Sequence, residues 1–316
     1  KDFSNFIKSI YQISNDVSIY SDLQFRNIDY QTSGSTSNID QLVVDKKYSF
    51  FNPKAGLNYD INQNNKIYFS LSKAHREPTR SDFENNINIQ PEELIDYELG
   101  WKYNSEKFFF NSNLYYMGYK NQLVLTGALD DVGSPLRENS GKSYRTGIEL
   151  ESVYKATNKL NISANISLSE NKNVDYKTNY NGVITDWGDT DISFSPNVIS
   201  SAGIQFSASQ DLTFALLNKF VGNQYMSNTE SNISKLSSYS TTDLNILYTI
   251  KNSAYFSEII FTAMINNIFN KEYVSNGYYY TYDDTWSDPN LITTIEGTGY
   301  YPQAKRNFLL GLTFKL

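Results

Sequence analysis

The sequence predicts an all-β chain that crosses a membrane as an antiparallel up-and-down β-barrel. Three observations predict it. Apolar and polar side chains alternate along many extended segments, the connections alternate between very short and very long, and aromatic residues are abundant. The alternation is cleanest over residues 159–169. Leu160, Ile162, Ala164, Ile166 and Leu168 point one way; Asn161, Ser163, Asn165, Ser167 and Ser169 point the other. A period of two over such a run is a strand with one apolar and one polar face. A soluble sandwich would alternate too, but its connections would not divide so consistently by length. Short turns at one rim and long loops at the other belong to outer-membrane barrels.

At 316 residues the chain can build one large all-β domain, since barrels exceed the usual domain size without dividing. Its mean hydropathy looks soluble, and no stretch approaches the ~18 apolar residues of a helical span. A barrel reconciles these facts, because only alternate residues face lipid. The 26 Tyr and 19 Phe, against 3 Trp and 3 Met, suit the headgroup level of a bilayer; an aromatic-rich soluble β-protein would share that composition. The absence of cysteine rules out disulfides and thiolate metal sites. A net charge of -7 argues against nucleic acid as a partner. Residues 1–30 show neither a basic n-region nor an apolar h-region, and the reading is that the chain starts inside a larger exported protein.

In chain order the expected strands are 4–14, 17–30, 48–61, 66–75, 93–104, 107–126, 143–156, 159–171, 197–208, 211–225, 239–251, 256–274 and 303–316. Tight turns fall at Asn15-Asp16, 62–65, Ser105-Glu106, Thr157-Asn158, Ser209-Gln210 and 252–255. Asn, Asp and Ser suit these places because they bond to the local backbone. Long connections fall near 31–47, 76–92, 127–142, 172–196, 226–238 and 275–302. Short turns are periplasmic and long loops extracellular in bacterial barrels. Ile95, Tyr97, Leu99, Trp101 and Tyr103 alternate with Asp96, Glu98, Gly100 and Lys102; Ile148, Leu150 and Tyr154 alternate with Arg145, Glu149, Glu151 and Lys155. A charge facing lipid near the midplane costs roughly 2–4 kcal/mol, so these charges are expected to face a wet interior. Segments 107–119 and 256–269 have apolar residues on both faces and leave the inner side open. Single-chain bacterial barrels have even strand numbers, so the odd count predicts at least one strand outside this sequence.

Four motifs in order now identify a family. Tyr68-Phe69-Ser70-Leu71-Ser72-Lys73-Ala74-His75-Arg76-Glu77-Pro78-Thr79-Arg80-Ser81-Asp82-Phe83 resembles the strand-and-loop motif of TonB-dependent outer-membrane receptors. Glu92-Glu93-Leu94-Ile95-Asp96-Tyr97-Glu98-Leu99-Gly100 resembles the strand that follows it. Tyr144-Arg145-Thr146-Gly147-Ile148-Glu149-Leu150-Glu151 and Ile265-Asn266-Asn267-Ile268-Phe269-Asn270-Lys271-Glu272-Tyr273 resemble two later strands. The resemblance implies a 22-stranded barrel with a plugged lumen. Residues 1–316 would then be the C-terminal part of that barrel, with the N-terminal plug domain and first strands absent from this chain. It further implies a bacterial outer-membrane location and energy from the TonB-ExbB-ExbD system through the missing N-terminal region. Family members usually end on an aromatic residue. Here Phe308, Leu310, Leu312, Phe314 and Leu316 make an apolar stripe that ends on leucine.

Several residues invite a chemical role. His75 is the lone histidine; it could be a haem ligand, but one imidazole without partners makes a poor metal site, so a hydrogen-bonding role within the barrel is the better expectation. Arg76 and Arg80 could meet an anionic ligand, or order the loop and hold the plug. The pairs Asp130-Asp131 and Asp283-Asp284, with Asp186, Asp189 and Asp191, make the loops acidic without the regular spacing of a calcium loop. Tyr278, Tyr279, Tyr280, Tyr282 and Trp286 crowd nine residues. They could stack on a sugar, catecholate or peptide, or form an interfacial belt or loop packing. No enzyme motif is present, so the chain is expected to be no enzyme and to need no cofactor. The expected function is energised import of a scarce nutrient, a small-molecule ligand, with ferric siderophores foremost. The alternative is a surface receptor for glycans or oligopeptides that works with a lipoprotein or other envelope protein. Outer-membrane lipid is a partner in either case.

Overall fold

The computed structural model describes residues 1–35, 41–130, 133–180, 183–251, 255–284, 286–287, 291 and 293–316. Its elements are β1 (Asp2–Gln12), β2 (Val17–Gly34), β3 (Leu42–Asn62), β4 (Asn65–Arg76), α1 (Arg80–Asn85), β5 (Glu92–Asn104), β6 (Phe108–Lys120), β7 (Leu123–Leu129), β8 (Pro135–Asn139), β9 (Lys142–Thr157), β10 (Leu160–Tyr180), β11 (Val183–Asp191), β12 (Val198–Ser207), β13 (Leu212–Val221), β14 (Gln224–Tyr225), β15 (Lys235–Leu236), β16 (Tyr239–Lys251), β17 (Glu258–Asn266), β18 (Val274–Asp284), β19 (Thr293–Pro302) and β20 (Asn307–Lys315). The sheet runs β1-β2-β3-β4-β5-β6-β9-β10-β12-β13-β16-β17-β20, with β11 paired to β10. All thirteen expected strands therefore lie in one antiparallel sheet, in chain order.

Turn chemistry explains the short connections. Asn62 Oδ1 accepts the N–H groups of Asn64 and Asn65 at 2.9 and 3.0 Å. Ser209 Oγ accepts those of Asp211 and Leu212 at 3.2 and 3.1 Å. Short polar side chains thus satisfy backbone donors where the ladder stops. The expected turn at 252–255 lies mostly outside the described residues.

Register decides which residues share a face. Tyr11, Ile19, Leu57, Phe69, Leu99, Leu114, Ile148, Leu168 and Val198 pair successively across nine strands. A second row runs Tyr154, Ile162, Ile204, Leu216, Leu244, Ile265 and Phe308. These are not core residues: Leu99 is 48% exposed and Ile162 39%. Buried apolar clusters occur instead in the loops, where Leu42, Val44, Phe83, Ile89 and Leu123 pack together. A sheet whose largest apolar rows face outward is built for hydrocarbon. The opposite face lines a cavity of about 410 Å³ with Asp96, Glu98, Asn113, Arg145, Glu149 and Asn171. Tyr115 and Met117 join that lining, which explains why segment 107–119 reads as apolar on both sides. No helix among the described residues is long and apolar enough to cross a membrane.

Three expected strands end early, each at a break in the ladder. The span 107–126 divides into β6 and β7 around Asn121, whose φ is 54°. The span 256–274 stops at Asn266 because Asn267 and Asn270 adopt φ of 52° and 55°. Asn tolerates this left-handed region better than most residues. The span 211–225 breaks after Val221, and β14 pairs with β15 in a separate ribbon. The long connections are themselves built, into the β7–β8, β14–β15 and β18–β19 ribbons, the β10–β11 hairpin and α1.

The two faces predict opposite tolerances. Leu99→Arg should destabilise the folded sheet by about 2–4 kcal/mol, whereas Glu98→Arg next to it should cost much less. Denaturant titration of the refolded protein in lipid checks this; equal sensitivity at both positions would contradict the face assignment.

Candidate ligand-binding site

The mouth is organised first by the segment after β4. Arg76 Nη2 donates to Glu92 Oε2 at 3.0 Å and to the Leu123 carbonyl at 3.2 Å, while Glu92 Oε2 also accepts the Leu123 N–H at 2.8 Å. Glu77 receives the Arg26 guanidinium at 2.8 and 2.7 Å. Asp82 Oδ2 reaches back to the Thr79 N–H and hydroxyl at 2.7 and 2.8 Å, the return half of a capping box. Its other oxygen takes Arg137 Nε of β8 at 2.8 Å. Phe83, fully buried, packs against Tyr30. The run from Arg76 to Phe83 therefore ties α1 onto β3, β7 and β8. Arg80 is exposed and pairs with Glu84 one turn on, at 2.7 Å. Burial would push the Asp82 carboxyl up, but its bonds to Arg137 and Thr79 prevail and hold it below the usual carboxylate range.

His75 is also engaged. Its Nδ1 donates to Asn52 Oδ1 at 2.8 Å, Nε2 lies 3.4 Å from Glu93, and its ring stacks on Phe50 at 4.9 Å. No group of three potential metal-binding side chains occurs among the described residues.

The tyrosines of β18 separate by face. Tyr278, Tyr280 and Tyr282 form a row with centroids 6.2 and 6.4 Å apart, and Trp286 continues it, 6.0 Å from Tyr282 and tilted by only 9°. Gly299 and Gly297 of β19 lie opposite Tyr278 and Tyr280. A Cβ at either glycine would sit 2.2 or 2.4 Å from the tyrosine ring. The glycines thus let the rings lie flat across the ribbon. Asp284 Oδ1 accepts the N–H groups of Trp286 and Ser287 at 3.1 and 3.0 Å, which holds the indole in line. The outer faces stay open: Trp286 is 70% exposed. Tyr279 faces the other way, buried against Met226 and Leu236. Its hydroxyl donates to Glu296 at 2.6 Å, and burial followed by that carboxylate pushes the phenol up to about 12.

Residues with no sequence signature hold these loops together. Asn228 Oδ1 accepts from Asn173 Nδ2 at 3.3 Å and from the Ser193 N–H at 2.9 Å, and its Nδ2 donates to the Leu125 carbonyl at 2.8 Å. One buried amide thus joins three loops. Tyr176 donates a hydrogen bond to Glu138, linking β10 to β8; burial raises the Glu138 carboxyl. The acidic residues of the loops mostly serve turns and ion pairs. Asp186 pairs with Lys177, Asp191 with Lys172, Asp189 accepts the Asp175 N–H, and Asp283 accepts from Thr294. Asp131 lies outside the described residues. Two signals for this organisation were present in the sequence: Thr79-x-x-Asp82, a cap spacing, and the alternation of Tyr278, Tyr280 and Tyr282 with Gly297 and Gly299 in the same loop. The Asp82–Arg137 pair and the Asn228 hub had none.

The family model described as TonB dependent receptor-like, beta-barrel, matches residues 4–268. No curated protein sequence matches the chain. Among solved structures it is similar to the siderophore receptor PiuA from Acinetobacter baumannii, at 18% identity and TM-score 0.76, over 99% of this chain and 43% of that one. It is similar to the ferric-catecholate import receptor Fiu from E. coli K12, at 16% identity and TM-score 0.69, over 98% and 44%. It also resembles the copper transporter OprC, at 15% identity and TM-score 0.71, over 100% and 47%. The chain thus spans less than half the length of these structures.

Acid should loosen α1. A depressed carboxyl contributes stability above its unfolded value and loses it as pH falls through the folded value. Protection factors of the amides at residues 80–85, each referred to the intrinsic exchange rate at that pH, should therefore be high at pH 7 and fall below about pH 4. Arg137→Ala should bring fast exchange at neutral pH, because it leaves the buried Asp82 charge unpaired. Slow exchange in that variant would contradict the assignment.

Proposed function

The chain belongs to the TonB-dependent receptor family, and on that premise we propose that it is part of an outer-membrane transporter that imports a scarce nutrient by energised transport, a ferric siderophore foremost. The observation that supports this reading most is the open aromatic row at the mouth, set above a polar inner wall. Flat exposed rings recognise ligands by stacking at low entropic cost, and a hydrated polar wall gives a captured ligand a route inward. Tyr278, Tyr280, Tyr282 and Trp286 would be first to touch the ligand. Arg76 and Arg80, each paired with a carboxylate, would shape the loop beneath them. Siderophore and copper receptors share the fold, which is consistent with a metal chelate as cargo.

In this reading, a plug domain preceding the chain and the TonB-ExbB-ExbD system drive the import step. Ligand bound across loops and plug would favour the closed arrangement by its differential affinity. In this reading the residues serve recognition and passage, the roles expected in a family of receptors.

Uptake tests the reading directly. A strain lacking the gene should lose radiolabelled iron accumulation from at least one ferric siderophore, and the full-length gene should restore it only when TonB is present. Intact iron uptake with lost growth on a glycan or peptide would instead favour a glycan or oligopeptide receptor working with a lipoprotein. Trp286→Ala and Tyr280→Ala should each weaken ligand binding by about 1–3 kcal/mol, measured by fluorescence titration of the full-length receptor.

A further inference from the structure

A second cavity, of about 610 Å³, opens among the loops. Leu125, Ala128 and Leu129 of β7, Gly277 of β18, Tyr301 of β19 and Phe194 form much of its wall. The wall contains no carboxylate, lysine, arginine or histidine among the described residues. The adjoining segment 274–302 has no basic residue and includes Asp283, Asp284, Asp288 and Glu296. Basic groups of the surrounding loops are engaged elsewhere: Arg76 with Glu92, Arg137 with Asp82, and Lys172 with Asp191 and Glu230. Arg145 donates to Asn171 and Ser195 and lines the lower cavity with Asp96, Glu98 and Glu149 rather than this one. Lys235 lies over the Tyr225 ring, 5.6 Å from its centroid. An anion entering this cavity would lose water and find no charged side chain among the described lining residues to replace it. A neutral apolar group would gain from burial alone.

Phe194 adds a second, independent observation. It lines both this cavity and the acidic one below it, and its φ is 52°. A bulky residue in the left-handed region is an outlier, and such strain persists where the surroundings hold it, often at functional sites. Here the surroundings do hold it. The Phe194 N–H donates to the Tyr225 carbonyl at 2.8 Å. Ser193 Oγ donates to the Leu125 carbonyl at 2.5 Å, and Arg145 donates to Ser195 Oγ at 2.9 Å. Both flanking residues are thus fixed, and the ring is fixed at the boundary between a neutral chamber and a charged one.

We propose that this cavity is a subsite for an uncharged apolar or aromatic portion of the ligand, floored by Phe194, so that the receptor prefers neutral metal chelates to anionic ones. The preference among chelates rests on the metal-chelate reading above; the subsite itself does not.

Two measurements on the full-length receptor test it. In nanodiscs, a neutral ferric tris-hydroxamate should bind at least about tenfold more tightly than a trianionic ferric tris-catecholate. Phe194→Gly, which relaxes the backbone, and Ala128→Trp, which fills the space, should each weaken binding of the neutral chelate by about tenfold or more. Equal or tighter binding of the catecholate, or unchanged binding in both variants, overturns the proposal. Crystals soaked with 4-bromoanisole should show bromine anomalous signal in the cavity of the wild type and none in Ala128→Trp; an empty wild-type cavity also overturns it. Bromine in the cavity with neither chelate bound would support the subsite and refute the metal-chelate reading instead.

Discussion

Backbone amides and carbonyls find no partner in hydrocarbon, so a strand crossing a bilayer depends on the strands beside it for every hydrogen bond. That constraint fixes more here than any single side chain. It demands an unbroken antiparallel ladder, and thirteen strands supply one in chain order. A continuous ladder then turns the two faces into two solvents, because neighbouring side chains point to opposite sides. Leucine, isoleucine and phenylalanine rows can face outward only because Asp96, Glu98, Arg145 and Glu149 take the other side.

Above the membrane the constraint lifts and the architecture changes. The loops have what the sheet lacks, namely small buried clusters around Phe83 and around Met226. Polar groups join them: the Asp82–Arg137 pair, the Asn228 amide and the Tyr176–Glu138 bond each connect elements distant in sequence. This arrangement gives the mouth a defined shape. An exposed aromatic row can present flat ring faces only if its backbone is held, and the glycines of β19 with the Asp284 turn do that. Under the proposed function, recognition at the mouth would therefore depend on the loops being packed rather than loose.

The sheet was legible in the sequence because a period-two pattern is local and repeats: residues 159–169 announce their faces with no knowledge of their neighbours. The expected strand 93–104 appears almost unchanged as β5. Legibility ended where single residues reverse the backbone. Asn121 and Asn267 sit within segments that read as continuous strands, and their left-handed φ, with that of Asn270, marks where the ladder stops. The candidate site was half legible. Crowding of Tyr278, Tyr280, Tyr282 and Trp286 was visible, but their alignment needed Gly297 and Gly299 across the ribbon. Arg76 was noticed for its charge, while its partners Glu92 and the Leu123 carbonyl became clear only once β4, β5 and β7 met. Asn228 could not have been singled out, since a buried amide in a polar loop looks like any solvated asparagine.

The account stands on the two-solvent division of each strand. Residues 1–316 contain no cysteine, so spin labels can be placed singly at residues 160–168 in lipid once any cysteine elsewhere in the full-length receptor has been replaced. Collision with oxygen should peak at 160, 162, 164, 166 and 168, and collision with a water-soluble nickel chelate should be highest relative to oxygen at 161, 163, 165 and 167. A flat profile, or one with a helical period, would contradict the account.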